Sequence, residues 1–168
     1  LFNPTRLFDA HTTRPHGDPV GLSAFWIGRA KKFNDGRLAS VSQFTWPIRV
    51  YYEDTDSGGV VYHSNYLNFM ERARTEWLRA LGFGQQVLRE QSGGMFVVSE
   101  TQLKYHRPSQ LDDLLLVSAA MQDKGRASLV IAQQAWRLEA DGSRTLLCEG
   151  TIRIGWVQAA SLKPERIP

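Results

Sequence analysis

The strongest periodic pattern in the chain lies between residues 64 and 81, where apolar side chains recur at the spacing of an α-helix. The apolar positions on one side of this helix are Leu67, Met70, Ala73, Trp77, Leu78 and Leu81. Gly82 follows them as the glycine that commonly ends a helix. The spacing therefore predicts one long helix with an apolar side to bury, and a shorter helix is predicted over 85–91.

After Gly94 the period changes to two, which is typical of β-strands. The predicted strands are 95–105, 114–121, 127–138 and 145–157, and a shorter strand, 47–52, precedes the long helix. One helix and about five antiparallel strands predict an α+β domain in which a curved sheet wraps around the long central helix. Edge strands of such a sheet favour pairing between copies, so we expect a homo-oligomer.

Residues 1–43 lack this periodicity and contain scattered Pro, Gly, His and Thr residues. The first methionine of the chain is Met70. We expect residues 1–43 to be an N-terminal extension, either disordered or an artefact of the choice of start site. Residues 44–168 are expected to form the single folded domain.

The positive charge of the chain is concentrated at its N-terminus. Residues 1–45 contain six Lys or Arg and three Asp or Glu, whereas residues 46–168 contain fourteen of each kind. The predicted domain therefore lacks the net basic charge that would attract nucleic acid. No apolar run approaches the roughly 18 residues of a membrane-spanning helix. The single cysteine, Cys148, excludes an intramolecular disulfide and is compatible with a reducing compartment.

The segment 51–66, YYEDTDSGGVVYHSNY, carries the candidate chemistry, because three carboxylates, two glycines and a histidine lie between a strand and the long helix. The start of a helix offers unpaired backbone N–H groups that can stabilise a developing oxyanion. A nearby carboxylate can attack a carbonyl or activate a water molecule.

These residues also have structural interpretations. Asp54, Asp56 and Ser57 are common in turns and helix caps, and His63 could simply precede the helix. A calcium loop is disfavoured, because Gly58 follows Asp56 at the next alternate position and Asn65 stands where the closing glutamate would be. A zinc site is disfavoured because His106 is the only other histidine after residue 43. We therefore expect no metal.

The run Asp-Thr-Asp-x-x-Gly-Val-Val-Tyr-His, residues 54–63, resembles the motif of the 4-hydroxybenzoyl-CoA thioesterase group of hotdog-fold proteins. Within that group, residues 44–79 closely resemble the acyl-CoA thioesterases associated with the bacterial Tol–Pal system. The resemblance extends over 44–168 and includes Tyr105, Arg107-Pro108 and 111–113. It implies a hotdog fold.

The resemblance also implies roles for single residues. Asp56 corresponds to the catalytic carboxylate, as nucleophile or general base, and the two roles are not distinguished by the sequence. His63 corresponds to the position where a backbone N–H polarises the thioester carbonyl, and its side chain is implicated in activity. Gly59, Val60 and Tyr62 would line the substrate site beside them.

The implied substrate is acyl-CoA, with short aliphatic acyl chains favoured over aromatic ones and no cofactor required. Arg107, Lys124 and Arg126 are candidates to bind the phosphates of coenzyme A, although each is of a type that more often lies solvated on the surface. The resemblance further implies a cytoplasmic dimer or tetramer, and partners such as acyl carrier protein or phospholipid-synthesis enzymes. The alternatives are a hotdog hydratase or dehydratase acting on acyl thioesters, and a non-catalytic scaffold for such partners.

Overall fold

A five-stranded antiparallel sheet and one long helix form the domain that the computed structural model describes, residues 43–168. The predicted N-terminal extension, 1–43, lies outside the described residues except for Gln43. In chain order the elements are β1 (Phe44–Arg49), α1 (Asn65–Ala80), α2 (Gln85–Ser92), β2 (Gly94–Tyr105), β3 (Leu114–Lys124), β4 (Ser128–Leu138) and β5 (Arg144–Gln158). The expected α+β class, with its five strands and long helix, is confirmed.

The strands are ordered β1-β3-β4-β5-β2, and every neighbouring pair is antiparallel. The register places Arg49, Leu114, Leu138, Arg144 and Tyr105 at one end of the sheet, which we call the Arg49 end. The opposite end, which we call the Gly94 end, holds Gly94, Lys124, Ser128 and Gln158. Within one chain, only candidate residues at the same end of the sheet can lie close together.

Strand β1 starts and ends three residues earlier than the predicted strand 47–52. Pro47 lies inside β1, which is tolerated because β1 is an edge strand of the sheet that residues 43–168 form, where it pairs with β3. After Arg49 the chain leaves the sheet, and Tyr52–Asp54 form a turn of 3-10 helix. The prediction that the strand continues to Tyr52 is therefore wrong.

Helix α1 has nearly the predicted bounds, and Met70, Ala73 and Leu78 are buried as predicted, but the buried side also includes residues that were not predicted. Tyr66, Phe69, Met70 and Ala73 are buried and pack in one cluster with residues of β1, β3, β4 and β5. Leu67 and Leu81, both predicted to be core positions, are exposed. The aromatic pair Tyr66 and Phe69 offers more apolar area, so these two side chains take the buried face. Among residues 43–168, no helix is both long and apolar enough to cross a membrane.

Arg74 lies on the buried side of α1, although its charge predicts a solvated position. Its Nη1 donates to Gln133 Oε1 at 2.7 Å. Gln133 Nε2 in turn donates to the carbonyl oxygens of Met70, at 3.0 Å, and Ser118, at 2.9 Å. Burial lowers the pKa of the Arg74 guanidinium. This network ties α1 to β3 and β4, because the buried polar atoms satisfy one another.

Candidate active site

The segment between β1 and α1 is held in place by Asp54, which is buried. Asp54 Oδ2 accepts a hydrogen bond from the Tyr51 N–H at 2.9 Å. The Asp54 carbonyl accepts another from the Tyr62 N–H at 2.8 Å. Asp54 therefore fixes both sides of the segment, and its carboxylate is occupied inside the fold.

Asp56, by contrast, is exposed and lies at the start of a tight turn. Its N–H donates to the Val60 carbonyl at 2.9 Å, and its own carbonyl accepts from the Gly59 N–H at 3.0 Å. Gly59 has a φ of +73°, a conformation that favours glycine. Asp56 Oδ1 accepts from the Gly58 N–H at 2.8 Å, whereas Oδ2 has no partner within residues 43–168. One carboxylate oxygen is therefore oriented by the turn while the other is free to act on a substrate.

The turn is attached to the loop that follows β2. The Val61 N–H donates to the Ser109 carbonyl at 2.8 Å, and Val60 forms an isolated β-bridge with Gln110. A second bridge joins Thr55 to Val61 and closes the base of the turn. Because Ser109 is buried, these contacts anchor the turn to the Arg49 end of the sheet.

His63 is exposed and lies two residues before the first residue of α1. The N–H groups of His63 and Ser64 have no acceptor within residues 43–168. The Tyr62 carbonyl accepts from the Asn65 N–H at 2.8 Å, which shapes the turn into the helix. Two unpaired donors at the positive end of a helix can stabilise an oxyanion.

Aromatic rings surround His63. The Tyr62 ring lies at a centroid distance of 4.5 Å from the imidazole, and the Tyr105 ring lies at 6.4 Å in an edge-on arrangement. The Tyr105 hydroxyl donates to the His63 carbonyl at 3.0 Å. The family resemblance of the sequence includes Tyr105 but assigns it no role, and its contact with His63 is visible only in the fold.

Arg107 also lies at the Arg49 end of the sheet. Its N–H and that of His106 donate to the Leu147 carbonyl, at 3.2 and 2.8 Å. A cleft of about 410 Å³ opens here, and its lining residues are His106, Arg107, Arg144, Thr145 and Leu146. Hydrogen bonds from Gln134 and His106 lower the pKa of Glu149. Sequence reasoning missed Arg144, because a single arginine beside a hairpin turn carries no signal of its own.

Arg126 and Lys124 lie at the Gly94 end instead. The eleven residues of β3 separate the two ends by roughly 30 Å. Both cations line a second cleft, of about 830 Å³, together with Arg166 and the C-terminal residues. Within one chain, the fold therefore brings Asp56, Gly59, Val60, Tyr62, His63 and Arg107 to one end of the sheet and leaves Arg126 at the other.

In the described part of the chain, no three His, Cys, Asp or Glu side chains are grouped so that they could hold a metal ion. The chemistry available at the Arg49 end is that of a free carboxylate oxygen and of unpaired backbone N–H groups. A carboxylate can act as a nucleophile or a general base, and the N–H groups can stabilise the negative charge on a tetrahedral intermediate. This arrangement suits hydrolysis of an activated carbonyl compound.

Comparisons with known proteins agree with this chemistry. Residues 58–142 match the thioesterase superfamily, a range that contains His63 and begins two residues after Asp56. The acyl-CoA thioesterase YbgC of Haemophilus influenzae is 42% identical over 125 residues, which cover 74% of this chain and 88% of that protein. The acyl-CoA thioester hydrolase YbgC of Escherichia coli is also 42% identical over 125 residues, covering 74% of this chain and 90% of its own.

The fold comparison leads to the same group of proteins. The crystal structure of a probable thioesterase from Bartonella henselae superposes with a TM-score of 0.64 and 32% identity, covering 75% of this chain and 98% of that one. The family match spans half of the chain, and the curated relatives exceed 30% identity over most of their length. The chain therefore belongs to the thioesterase superfamily of hotdog-fold enzymes.

Proposed function

We propose that the protein is an acyl-CoA thioesterase that hydrolyses acyl-CoA to the free acid and coenzyme A. The observation that carries this proposal is that Asp56 Oδ2 and the N–H groups of His63 and Ser64 lie at the same end of the sheet and have no hydrogen-bond partner among residues 43–168. The names of the Haemophilus influenzae and Escherichia coli relatives supply the substrate class.

The net reaction breaks the C–S bond of the thioester and forms a C–O bond with an oxygen that comes from water. Asp56 either attacks the carbonyl carbon, giving a mixed anhydride that water then hydrolyses, or removes a proton from the attacking water. In both routes the carbonyl oxygen becomes negative and is stabilised by the N–H groups at the start of α1. The thiolate of coenzyme A leaves and takes up a proton. Neither route requires a metal or a redox cofactor.

Residues near these groups are proposed to hold the acyl-CoA. The backbone of Gly59 and Val60 can approach the thioester closely, and the half-exposed ring of Tyr62 offers an apolar surface beside it. Arg107, with Arg144 in the same cleft, can attract the phosphates of coenzyme A. These contacts would place the substrate along the Arg49 end of the sheet.

Arg126 is proposed to contribute to the active site of a second copy of the chain. Strand β2 is an edge strand, and most of its side chains between Val98 and Tyr105 are exposed. Antiparallel pairing of two β2 strands about a two-fold axis would bring the Gly94 end of one copy beside the Arg49 end of the other. The cleft of Lys124, Arg126 and Arg166 would then serve the active site of the neighbouring copy. A dimer, or a tetramer built from two dimers, is the proposed assembly.

Short aliphatic acyl chains are the proposed substrates, with aromatic acyl groups as the alternative. The proposed setting is the cytoplasm, with a physiological link to the Tol–Pal system. Acyl carrier protein and phospholipid-synthesis enzymes are the proposed protein partners. These assignments rest on the resemblance of residues 44–168 to the Tol–Pal-associated branch of the family.

The proposal is tested by a thiol-release assay across a panel of acyl-CoA substrates. We expect hydrolysis of the short aliphatic compounds, with kcat/KM decreasing as the chain lengthens. Faster cleavage of aromatic acyl-CoA would reassign the substrate class. Loss of enoyl absorbance without thiol release would indicate a hydratase, and absence of both activities in a folded protein would favour a scaffold.

His63 provides a second test, because its backbone and its side chain have separable roles. The N–H is present whatever the side chain, so His63→Ala is expected to lower kcat/KM less than Asp56→Asn does. His63→Tyr is expected to keep measurable activity, since the neighbouring rings of Tyr62 and Tyr105 can pack against another aromatic ring. The measurement is kcat/KM of both variants against a short-chain acyl-CoA. If both are folded by circular dichroism and completely inactive, the imidazole is an obligatory catalytic group.

A further inference from the structure

The peptide group between His63 and Ser64 is held by a single side chain from another element. Its carbonyl oxygen accepts the hydrogen bond from the Tyr105 hydroxyl at 3.0 Å. Its N–H, which belongs to Ser64, has no acceptor within residues 43–168. Tyr105 is the last residue of β2 and lies 42 positions away in the chain, so this bond fastens the start of the helix to the sheet.

Tyr105 is 47% exposed, and the covered side of its ring contacts a neighbouring ring. It packs edge-on against the Tyr66 ring at 5.8 Å, and the buried Tyr66 hydroxyl is hydrogen-bonded to Ser109 Oγ at 3.0 Å. The Ser109 carbonyl also accepts a hydrogen bond from the Val61 N–H. Ser109 therefore contacts both Tyr66, which packs on the Tyr105 ring, and the turn that carries Asp56. The backbone of β2 pairs Tyr105 with Cys148 of β5. The hydroxyl therefore meets the His63 carbonyl from a fixed direction.

We propose that Tyr105 is a positioning residue for thioester hydrolysis, which holds and polarises the His63–Ser64 peptide so that the Ser64 N–H acts as a second donor to the thioester oxygen, beside the N–H of His63. A donor on a peptide carbonyl strengthens the N–H of the same peptide as a hydrogen-bond donor. A donor that is held in place needs no reorganisation when the oxyanion forms. The inference rests on the proposed thioesterase function and adds to it a residue that acts through the His63–Ser64 peptide.

The protonation state of the Tyr105 hydroxyl suits this role near neutral pH. Burial raises the pKa of the Tyr105 phenol, and the nearby Cys148 raises it further. The phenol therefore keeps its proton and remains a donor through the neutral and mildly alkaline range. An ionised phenolate would repel the His63 carbonyl instead of binding it.

Tyr105→Phe removes the hydroxyl and keeps the ring. We expect kcat on a short-chain acyl-CoA to fall roughly tenfold, the effect of losing one positioned hydrogen bond, with little change in KM. Tyr66→Phe is the matched comparison, because it also removes one hydroxyl from the same cluster. Its bond to Ser109 supports the fold, so we expect a lower Tm and a smaller loss of kcat than in Tyr105→Phe.

The peptide can also be observed directly. His63 is the only histidine in the chain that is followed by serine. Labelling with carbonyl-¹³C histidine and ¹⁵N serine therefore gives a single HNCO cross-peak, from the His63–Ser64 peptide. We expect Tyr105→Phe to shift this cross-peak in both the carbonyl and nitrogen dimensions, because the carbonyl loses its donor. Tyr66→Phe is expected to shift it much less.

The two readouts separate this inference from the proposed function. A wild-type protein that cleaves no acyl-CoA would overturn the proposed function, whereas the cross-peak would still report whether Tyr105 holds the peptide. Wild-type kcat in Tyr105→Phe would overturn the positioning role. So would a reduced kcat with an unshifted cross-peak, or a loss confined to KM.

Discussion

Replacing Asp56 with asparagine is expected to lower kcat by on the order of 10²-fold or more, with the fold intact. Asparagine keeps the size of the side chain and an oxygen that can accept the Gly58 N–H, so the turn is preserved. The variant loses the negative oxygen that has no partner in the described part of the chain, and with it both the nucleophile and the base. The measurement is kcat and KM for a short-chain acyl-CoA, alongside circular dichroism and Tm.

Asp54→Asn is the matched control, because the same change is made two residues away in the same segment. Asp54 is buried and accepts the Tyr51 N–H, so the variant is expected to lower Tm and to affect kcat far less than Asp56→Asn. Near-normal turnover in folded Asp56→Asn would remove Asp56 from the mechanism. A larger loss of kcat in Asp54→Asn would mean that the catalytic carboxylate had been assigned to the wrong aspartate.

The elements of the fold could be predicted from the sequence because their periodicities are strong and local. The alternation after Gly94 marked four strands, and the spacing between residues 64 and 81 marked α1. The buried face of α1 could be predicted only in part, because Met70, Ala73 and Leu78 are buried as predicted whereas other predicted positions are exposed. Tyr66 and Phe69 displaced Leu67 and Leu81 from the core, because which side of a helix is buried depends on the sheet that packs against it.

The burial of Arg74 also could not be predicted from the sequence. A charged residue predicts a solvated position, yet Arg74 is buried because Gln133, 59 residues later, provides its acceptor. Such partners are brought together only by the sheet topology. The candidate site could be predicted only in part for the same reason. The segment 51–66 is continuous in the sequence and could be identified there, whereas the contacts of Tyr105 and Arg144 form only when distant strands come together in the fold.

Gly150→Ala is expected to produce the largest loss of stability among single-methyl additions in the sheet. Gly150 lies in β5, where it pairs with Leu103 of β2 and with Gln133 of β4. A Cβ atom at this position would lie 2.0 Å from the Gln102 carbonyl oxygen and 2.7 Å from Leu103 Cδ2. Because the Gln102 oxygen belongs to the backbone, it cannot move aside without displacing β2. We expect a cost of about 3 kcal/mol in the free energy of unfolding.

Gly155→Ala is the matched control for this prediction, since it adds the same methyl group to the same strand. A Cβ atom at Gly155 would have its nearest neighbour, the Ala127 carbonyl oxygen, at 3.9 Å, which is an ordinary contact. Thermal unfolding at one protein concentration is expected to show Tm roughly 10 °C lower for Gly150→Ala and nearly unchanged for Gly155→Ala. Displacement of β2 would also move Tyr105 at its end, so turnover should fall with stability in the first variant alone. Equal Tm values for the two variants would show that β2 does not approach β5 as closely as the fold requires.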